Sequence, residues 1–202
     1  MSGYRPVSRD VLIALLAERI NRSTGLVRVA IDGPAPAAPH ELAGSLVDPL
    51  RALGRPVHLV RAETFWHDAS LRLEYGHEDA DSYLGWLDAQ TLRREVLDPV
   101  TTSGSYLPSL RDPATNRATR ERPRTVEPNA VLVVSGELLL GLGLPFELTV
   151  HLAMSPGARA RRIDPELAWT LPAFDRYDAE VAPQERADLV VRVDDPDRPA
   201  VR

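Results

Sequence analysis

One segment, residues 27–42, has the order of residue types that binds phosphate in many proteins. It runs from a strand rich in β-branched residues through a glycine turn into the start of a helix. The phosphate-binding loop pattern G-x-x-x-x-G-K-[ST] occupies this context. Gly33 matches its first glycine, but Ala38, Pro39 and His40 stand where the second glycine, the lysine and the hydroxyl residue belong.

These replacements remove the groups that such a loop uses. Phosphate is held by successive backbone N–H groups, and proline has none, so Pro34, Pro36 and Pro39 delete three donors. The chain has 24 basic residues and all are arginine, so no lysine elsewhere can replace the missing one. Imidazole is a poor ligand for Mg²⁺, so His40 is a poor substitute for the hydroxyl. We therefore predict that the loop keeps its strand–turn–helix shape, favoured by proline at the first helical position, but binds nucleotide phosphates weakly or not at all.

The surrounding pattern alternates strands and helices, which predicts an α/β fold with a five-stranded, mostly parallel sheet and helices on both faces. Predicted strands lie at 27–31, 55–62, 130–136, 146–153 and 187–193. Predicted helices cover 8–20, 39–53 (kinked or split at Pro49), 83–97 and a segment beginning at Pro156. Residues 98–128 read as loop, with weak strand signals near Tyr106 and Thr125.

Length and composition predict one domain, 1–202, with a loop insertion at about 98–128. The net charge of −5 argues against nucleic-acid binding, and the lack of cysteine excludes thiolate metal sites. Neither a signal peptide nor a membrane-spanning run is apparent, which favours a cytoplasmic protein.

Several segments, taken together in their order and spacing, resemble the uridine kinase-like branch of the P-loop kinases over about residues 27–193. They are Val-Arg-Val-Ala-Ile-Asp-Gly at 27–33, Gly-Arg-Pro-Val at 54–57, Glu63-Thr64-Phe65 in place of an Asp-x-Phe motif, Val133–Leu139, and the arginine-bearing Ala158–Arg162. No single segment is specific.

The resemblance implies a P-loop NTPase architecture, ATP with magnesium, and phosphoryl transfer to a nucleoside hydroxyl. Glu63 would orient or deprotonate the acceptor hydroxyl. Arg159 and Arg162 would meet the transferred phosphate, and Phe65 and Tyr83 would border the acceptor pocket.

Ser135 departs from the family pattern, in which an acid commonly assists the magnesium. Because phosphoryl transfer relies on positioning and charge neutralisation, each departure affects catalysis directly. We therefore expect a degenerate kinase that acts as a binding or regulatory module. The alternatives are an active nucleoside kinase that uses arginine in place of lysine, and an unrelated small-molecule enzyme on the same sheet. The ligand is expected to be a nucleoside or another small molecule; a protein partner and the oligomeric state stay open.

Three further groups have an ordinary and a functional interpretation. No pair of histidines has a recognised metal spacing, so solvated loop positions are favoured and no metal site is predicted. The arginines between 111 and 124 fit a solvated loop better than a phosphate clamp. Trp66, Trp86 and Trp169 fit ordinary packing better than a base-stacking pocket.

Overall fold

The structure is a computed structural model that describes residues 3–202. Its main sheet has seven strands in the order β1-β9-β8-β7-β2-β6-β3, and a separate pair is formed by β4 and β5. The strands are β1 (Arg5–Pro6), β2 (Val27–Asp32), β3 (Val57–Arg61), β4 (Ser105–Tyr106), β5 (Arg124–Thr125), β6 (Val131–Gly136), β7 (Leu148–Ala153), β8 (Leu189–Arg192) and β9 (Ala200–Val201).

The five strands predicted from the sequence form the parallel part of this sheet, β8-β7-β2-β6-β3. The predicted α/β class is therefore confirmed, and the sheet is larger than five strands. The two additional strands, β9 and β1, are two residues each and pair antiparallel at the β8 edge. They lie in the terminal segments, where such short strands give no periodicity to read.

The helices connect and cover the strands. They are α1 (Arg9–Asn21), α2 (Pro39–Ser45), α3 (Val47–Ala52), α4 (Ala69–Arg72), α5 (Ala80–Tyr83), α6 (Ala89–Leu92), α7 (Pro99–Thr102), α8 (Pro156–Arg162), α9 (Leu171–Glu180) and α10 (Pro183–Arg186). Short 3-10 helices occupy Ala35–Ala37, Ala62–Phe65 and Pro165–Thr170, and a π-helical turn occupies Arg93–Leu97. The Ser8 side chain caps α1 and the Ser155 side chain caps α8.

Alternate residues of the central strands supply two hydrophobic cores, one on each face of the sheet. Val29 and Ile31 of β2 pack into the core that includes α1, α2 and α3. Ala30 of β2 packs into the core on the other face, which includes residues from α5, α6 and α9. Both faces are covered, which explains why β2, β6 and β7 read as nearly continuous apolar runs.

Two helical predictions need correction. The predicted helix 39–53 is split, as Pro49 indicated, but the division into α2 and α3 lies at Leu46, and Leu53 is 46 % exposed rather than part of the core face. The predicted helix 83–97 is interrupted after α5 by a turn and then continues as α6 and the π-helical turn. A bridge between Trp66 and Leu87 draws this segment out of helical geometry.

Strand β2 lies between β6 and β7; the chain runs from β2 past β6 to β3 on one side, whereas it runs from β6 past β2 to β7 on the other side. In open parallel sheets, ligands bind beside the carboxyl ends of the strands at such a switch point. The loop that follows β2, residues 33–38, lies there.

Candidate functional site

The loop after β2 is closed by its own hydrogen bonds. The amides of Ala37 and Ala38 donate to the carbonyls of Pro34 and Ala35 at 2.7 and 2.9 Å, which forms the 3-10 helix. The Ala35 amide donates to Oε1 of Glu137 at 2.5 Å. Pro34 and Pro36 have no N–H group and the Gly33 amide donates to the carbonyl of Gly136 at 3.1 Å, so every N–H group of residues 33–38 is absent or already bonded.

The loop nevertheless keeps the backbone shape expected of a glycine pattern. Ala38 lies in the left-handed region at φ 57° and ψ 53°, and α2 begins directly after it with Pro39 at its first position. Gly33 is required for close packing, since a Cβ there would lie 2.7 Å from Cβ of Leu152 in β7. The predicted survival of the strand–turn–helix geometry is thus seen in the backbone.

His40 connects two neighbouring strand ends. Its Nδ1 lies 2.8 Å from Oγ of Ser135 at the end of β6, and its Nε2 lies 3.1 Å from Oε1 of Glu63 after β3. Arg61 donates to the same Glu63 oxygen at 2.5 Å. The side chain of Glu63 is 12 % exposed and that of His40 is 32 % exposed. Three positions at which the family resemblance implied magnesium and acceptor chemistry are therefore bonded to one another.

The two glutamates beside the loop have opposite pKa shifts. Burial acts to raise the pKa of Glu63, but the hydrogen bond and charge of His40, with smaller effects of a backbone hydrogen bond and the charge of Arg61, outweigh it, so the pKa lies below its ordinary value. Burial raises the pKa of Glu137, and the hydrogen bonds from Tyr83 and Ala35 offset this increase only in part, so the pKa lies above its ordinary value. Glu63 is therefore held as a carboxylate, whereas ionisation of Glu137 is disfavoured.

A cleft of about 730 Å³ opens between the loop and the segments that follow β3. Its lining includes the loop residues Ala38 and His40 at one end and Glu63 and Glu137 beside them. Four aromatic side chains also line it, together with Arg61 and Arg72: Trp66, Tyr83, Trp86 and Trp169. Tyr83 packs against Trp86 and Trp169 with ring centroids 4.8 and 5.4 Å apart. All three tryptophans of the chain thus line one cleft, whereas the sequence analysis favoured ordinary packing for them.

The predicted site residues divide into three groups. Glu63 and Tyr83 line the cleft with the loop, while Phe65 is fully buried in the core behind it. Arg162 lies outside this cleft, donates to the carbonyls of Pro36 and Val193, and lines a separate 320 Å³ pocket on the other side of the loop.

Arg159 is 2 % exposed and is held by two carboxylates of α9. Its terminal nitrogens donate to Asp175 at 2.7 Å and to Asp178 at 3.0 Å, and its guanidinium lies over the ring of Phe174. Both lid arginines predicted from the resemblance are therefore engaged in contacts within the protein.

A buried polar network lies beneath the loop and has no counterpart in the sequence-based prediction. Asp32 is fully buried and accepts hydrogen bonds from the Leu139 amide at 2.9 Å and the Tyr177 hydroxyl at 3.1 Å. Its Oδ2 also lies 2.7 Å from Nδ1 of His151. Burial and the charge of Asp32 raise the pKa of Tyr177 far above its ordinary value. This network fixes the ends of β2 and β7 to α9.

Sequence reasoning missed Glu137, Arg72 and His151 as members of these clusters. The acidic residue after β6 was visible in the sequence as part of the segment 133–139. Arg72 and His151 had no such signal, because only the fold brings them to the cleft and to Asp32.

Solved structures share this fold. A uridine kinase from Bacillus stearothermophilus, so named provisionally, superposes with a TM-score of 0.73 at 20 % identity, over 90 % of this chain and 97 % of that one. A provisionally named fructose transport system kinase from Silicibacter sp. TM1040 superposes with a TM-score of 0.57 at 19 % identity, over 80 % of this chain and 94 % of that one. The YGR205w protein superposes with a TM-score of 0.59 at 11 % identity, over 96 % of this chain and 97 % of that one. The chain therefore has the fold of the uridine kinase-like P-loop kinases.

No protein-family pattern matches the chain, and no curated protein matches it in sequence. Within residues 3–202, no helix is long and apolar enough to cross a bilayer. The same residues contain no group of three or more histidine, aspartate or glutamate side chains placed to hold a metal ion.

Proposed function

We propose that this protein is a degenerate uridine kinase-like P-loop protein, with impaired ATP binding, that acts as a small-molecule-binding or regulatory module. The observation that carries the proposal is the state of the loop after β2. Its amides are bonded within the protein or replaced by proline, and the chain has no lysine to supply a cation there.

The charge around the loop supports the same conclusion. Glu63 and Glu137 line the cleft beside it, and buried Asp32 lies behind it. The charges of Glu63 and Asp32 both act to raise the pKa of Glu137, so this region already contains mutually repelling carboxylates. A triphosphate would add negative charge where the lysine of the pattern is missing and the neighbouring Arg61 is already paired with Glu63. The residues present therefore do not fit ATP and magnesium.

His40 argues in the same direction. The pattern places a hydroxyl here as a magnesium ligand, whereas the imidazole nitrogens are both engaged, by Ser135 and Glu63. Coordination of a metal by either nitrogen would require breaking the contact that this nitrogen makes. The Ala35 amide likewise donates to Oε1 of Glu137, so it is not free to donate to a phosphate oxygen.

The test is a titration with ATP–Mg²⁺, followed by tryptophan fluorescence and by the melting temperature. Because all three tryptophans line the cleft, their emission reports occupancy directly. We expect no saturable change below about 1 mM ATP and no stabilisation of folding. Saturation at micromolar ATP would refute the proposal.

The second candidate, an active nucleoside kinase, is favoured by one observation. Glu63 is held as a carboxylate in a cleft walled by aromatic rings, as an acceptor site would require. Incubation with γ-labelled ATP, Mg²⁺ and uridine distinguishes the candidates. Label transfer that is lost in Glu63→Gln, but kept in the exposed control Glu18→Gln, would establish the kinase and remove the degenerate interpretation.

A further inference from the structure

Arg72 is a buried cation without a carboxylate partner. The residue is 7 % exposed, and its Nε donates to the carbonyl of His67 at 2.9 Å. No acceptor within the described residues bonds its two terminal nitrogens, and no acidic side chain lies within 4 Å of them. Asp68, the carboxylate whose charge acts on Arg72, pairs instead with Arg111 at 3.0 Å.

Aromatic rings hold this guanidinium in place. Its Cζ lies 4.6 Å from the ring centroid of Trp86 and 5.2 Å from that of Trp66. Such cation–π contacts offset part of the cost of burying the charge. Burial still lowers the pKa of Arg72, and the neighbouring charge of Arg111 adds to this. Buried charges in proteins are ordinarily paired and hydrogen-bonded. The two terminal nitrogens of Arg72 lack a protein acceptor but keep some accessible surface, so they can donate to an anion in the cleft.

The position of Arg72 connects this demand to a ligand. The residue lines the 730 Å³ cleft together with both of its tryptophan partners, and it forms the wall shared with a smaller pocket of about 200 Å³. Glu137 and Glu63, the latter paired with Arg61, line the cleft beside the loop, whereas Arg72 lies among the tryptophans.

We infer that the cleft binds a small molecule with a ring or other apolar body and an anionic group, carboxylate or phosphate, which pairs with Arg72. The apolar body lies against the aromatic wall, and the end of the ligand that faces Glu63 carries hydrogen-bond donors such as hydroxyls. This inference rests on the proposed function, because it names the class of ligand for the same cleft. It also excludes a ligand whose negative charge lies at the loop.

The test uses two matched pairs of probes: uridine 5′-monophosphate against uridine, and phenylacetate against phenylacetamide. Binding is measured by tryptophan fluorescence excited at long wavelength and by calorimetry. A charge-assisted pair of hydrogen bonds predicts that at least one anion binds about tenfold to a hundredfold more tightly than its neutral partner. The two pairs distinguish phosphate from carboxylate.

Three variants isolate Arg72. Arg72→Met keeps the unbranched apolar stem of the side chain but removes the guanidinium, so it should abolish the preference for the anion, while Arg72→Lys should keep part of it. Arg19→Gln, on the exposed face of α1, removes the same charge elsewhere and should leave the preference unchanged. Since the buried charge lacks a partner, Arg72→Met should melt at or above the temperature of the unaltered protein.

Equal affinity for anion and neutral partner, or a preference that persists in Arg72→Met, would overturn the inference while leaving the cleft as a binding site. A melting temperature of Arg72→Met several degrees below that of the unaltered protein would assign Arg72 a structural role and also overturn it. If none of the four probes binds, both the inference and the small-molecule-binding role fail. The ATP titration judges the impaired loop separately.

Discussion

Stepwise restoration of the phosphate-binding loop is the most direct perturbation of the mechanism proposed for this protein. The variant Ala38→Gly, Pro39→Lys, His40→Thr replaces the three positions that depart from the pattern. The structure predicts which groups this restores. Lysine returns a cation and threonine a hydroxyl, whereas Ala38 already has the left-handed backbone of a glycine, so Ala38→Gly restores little phosphate contact.

The gain follows from those two groups. Each charge-assisted interaction is worth about 1.5–3 kcal/mol, so the triple variant should recover about 3–6 kcal/mol of ATP binding free energy. This corresponds to a decrease of about 10²–10⁴-fold in the Kd for ATP. Affinity should still be lower than that of an intact loop, because Pro34 and Pro36 remain and the Ala35 amide is still bonded to Glu137.

A second step, Glu137→Gln in the triple variant, tests this last point. Removal of the carboxylate should lower repulsion of the triphosphate and weaken the hold on the Ala35 amide, so ATP affinity should rise further. The assay is calorimetry with ATP and Mg²⁺, with Ala38→Gly alone as the matched control. A gain below tenfold in the triple variant would refute the reasoning that the missing cation and hydroxyl limit binding. Micromolar ATP affinity of the unaltered protein would refute the premise.

Three further predictions concern stability, each measured by urea denaturation. Ala38→Gly should stabilise the fold by about 0.5–1 kcal/mol, because the left-handed strain of alanine is relieved and glycine's larger unfolded-state entropy offsets part of that gain; a loss of stability would mean that the Ala38 methyl group contributes packing. Gly33→Ala should destabilise by about 1–3 kcal/mol, because the new Cβ would lie 2.7 Å from that of Leu152, and an unchanged midpoint would show that β7 shifts freely. Glu137 has a raised pKa in the folded state, so its contribution is favourable at low pH and is lost as the pH rises through that pKa. The free energy of unfolding of Glu137→Gln, relative to that of the unaltered protein, should therefore be higher at pH 7 than at pH 4. A difference that does not change with pH would contradict the assigned cause.

Much of the fold could be predicted because its signals are local. The apolar run of β2 and the proline that starts α2 follow from residues within a few positions of one another, and the structure places both as expected. The interrupted segment 83–97 could not be predicted in the same way. Its apolar spacing is helical, but a bridge from Trp66 to Leu87, 21 positions apart in the chain, overrides that preference.

The candidate site was predictable only at the loop. Glu63 and Tyr83 lie in the cleft as the resemblance implied, although their roles stay predictions. Arg159 and Arg162 show why residue type alone is insufficient. Both could meet a phosphate by chemistry, yet the fold places acidic side chains of α9 and carbonyl oxygens within their reach.

The sequence by itself determined which groups this protein lacks. The chain has no lysine and has three prolines within residues 33–40, so no packing arrangement can supply the lysine of the pattern or the missing amide hydrogens. The tertiary structure alone decided which contacts the side chains of the site make. His40 meets Ser135 and Glu63, and Arg72 meets two tryptophans at the cleft, because strand ends distant in sequence converge at one edge of the sheet. Local sequence preference carries no information about such contacts, since they depend on strand order and register.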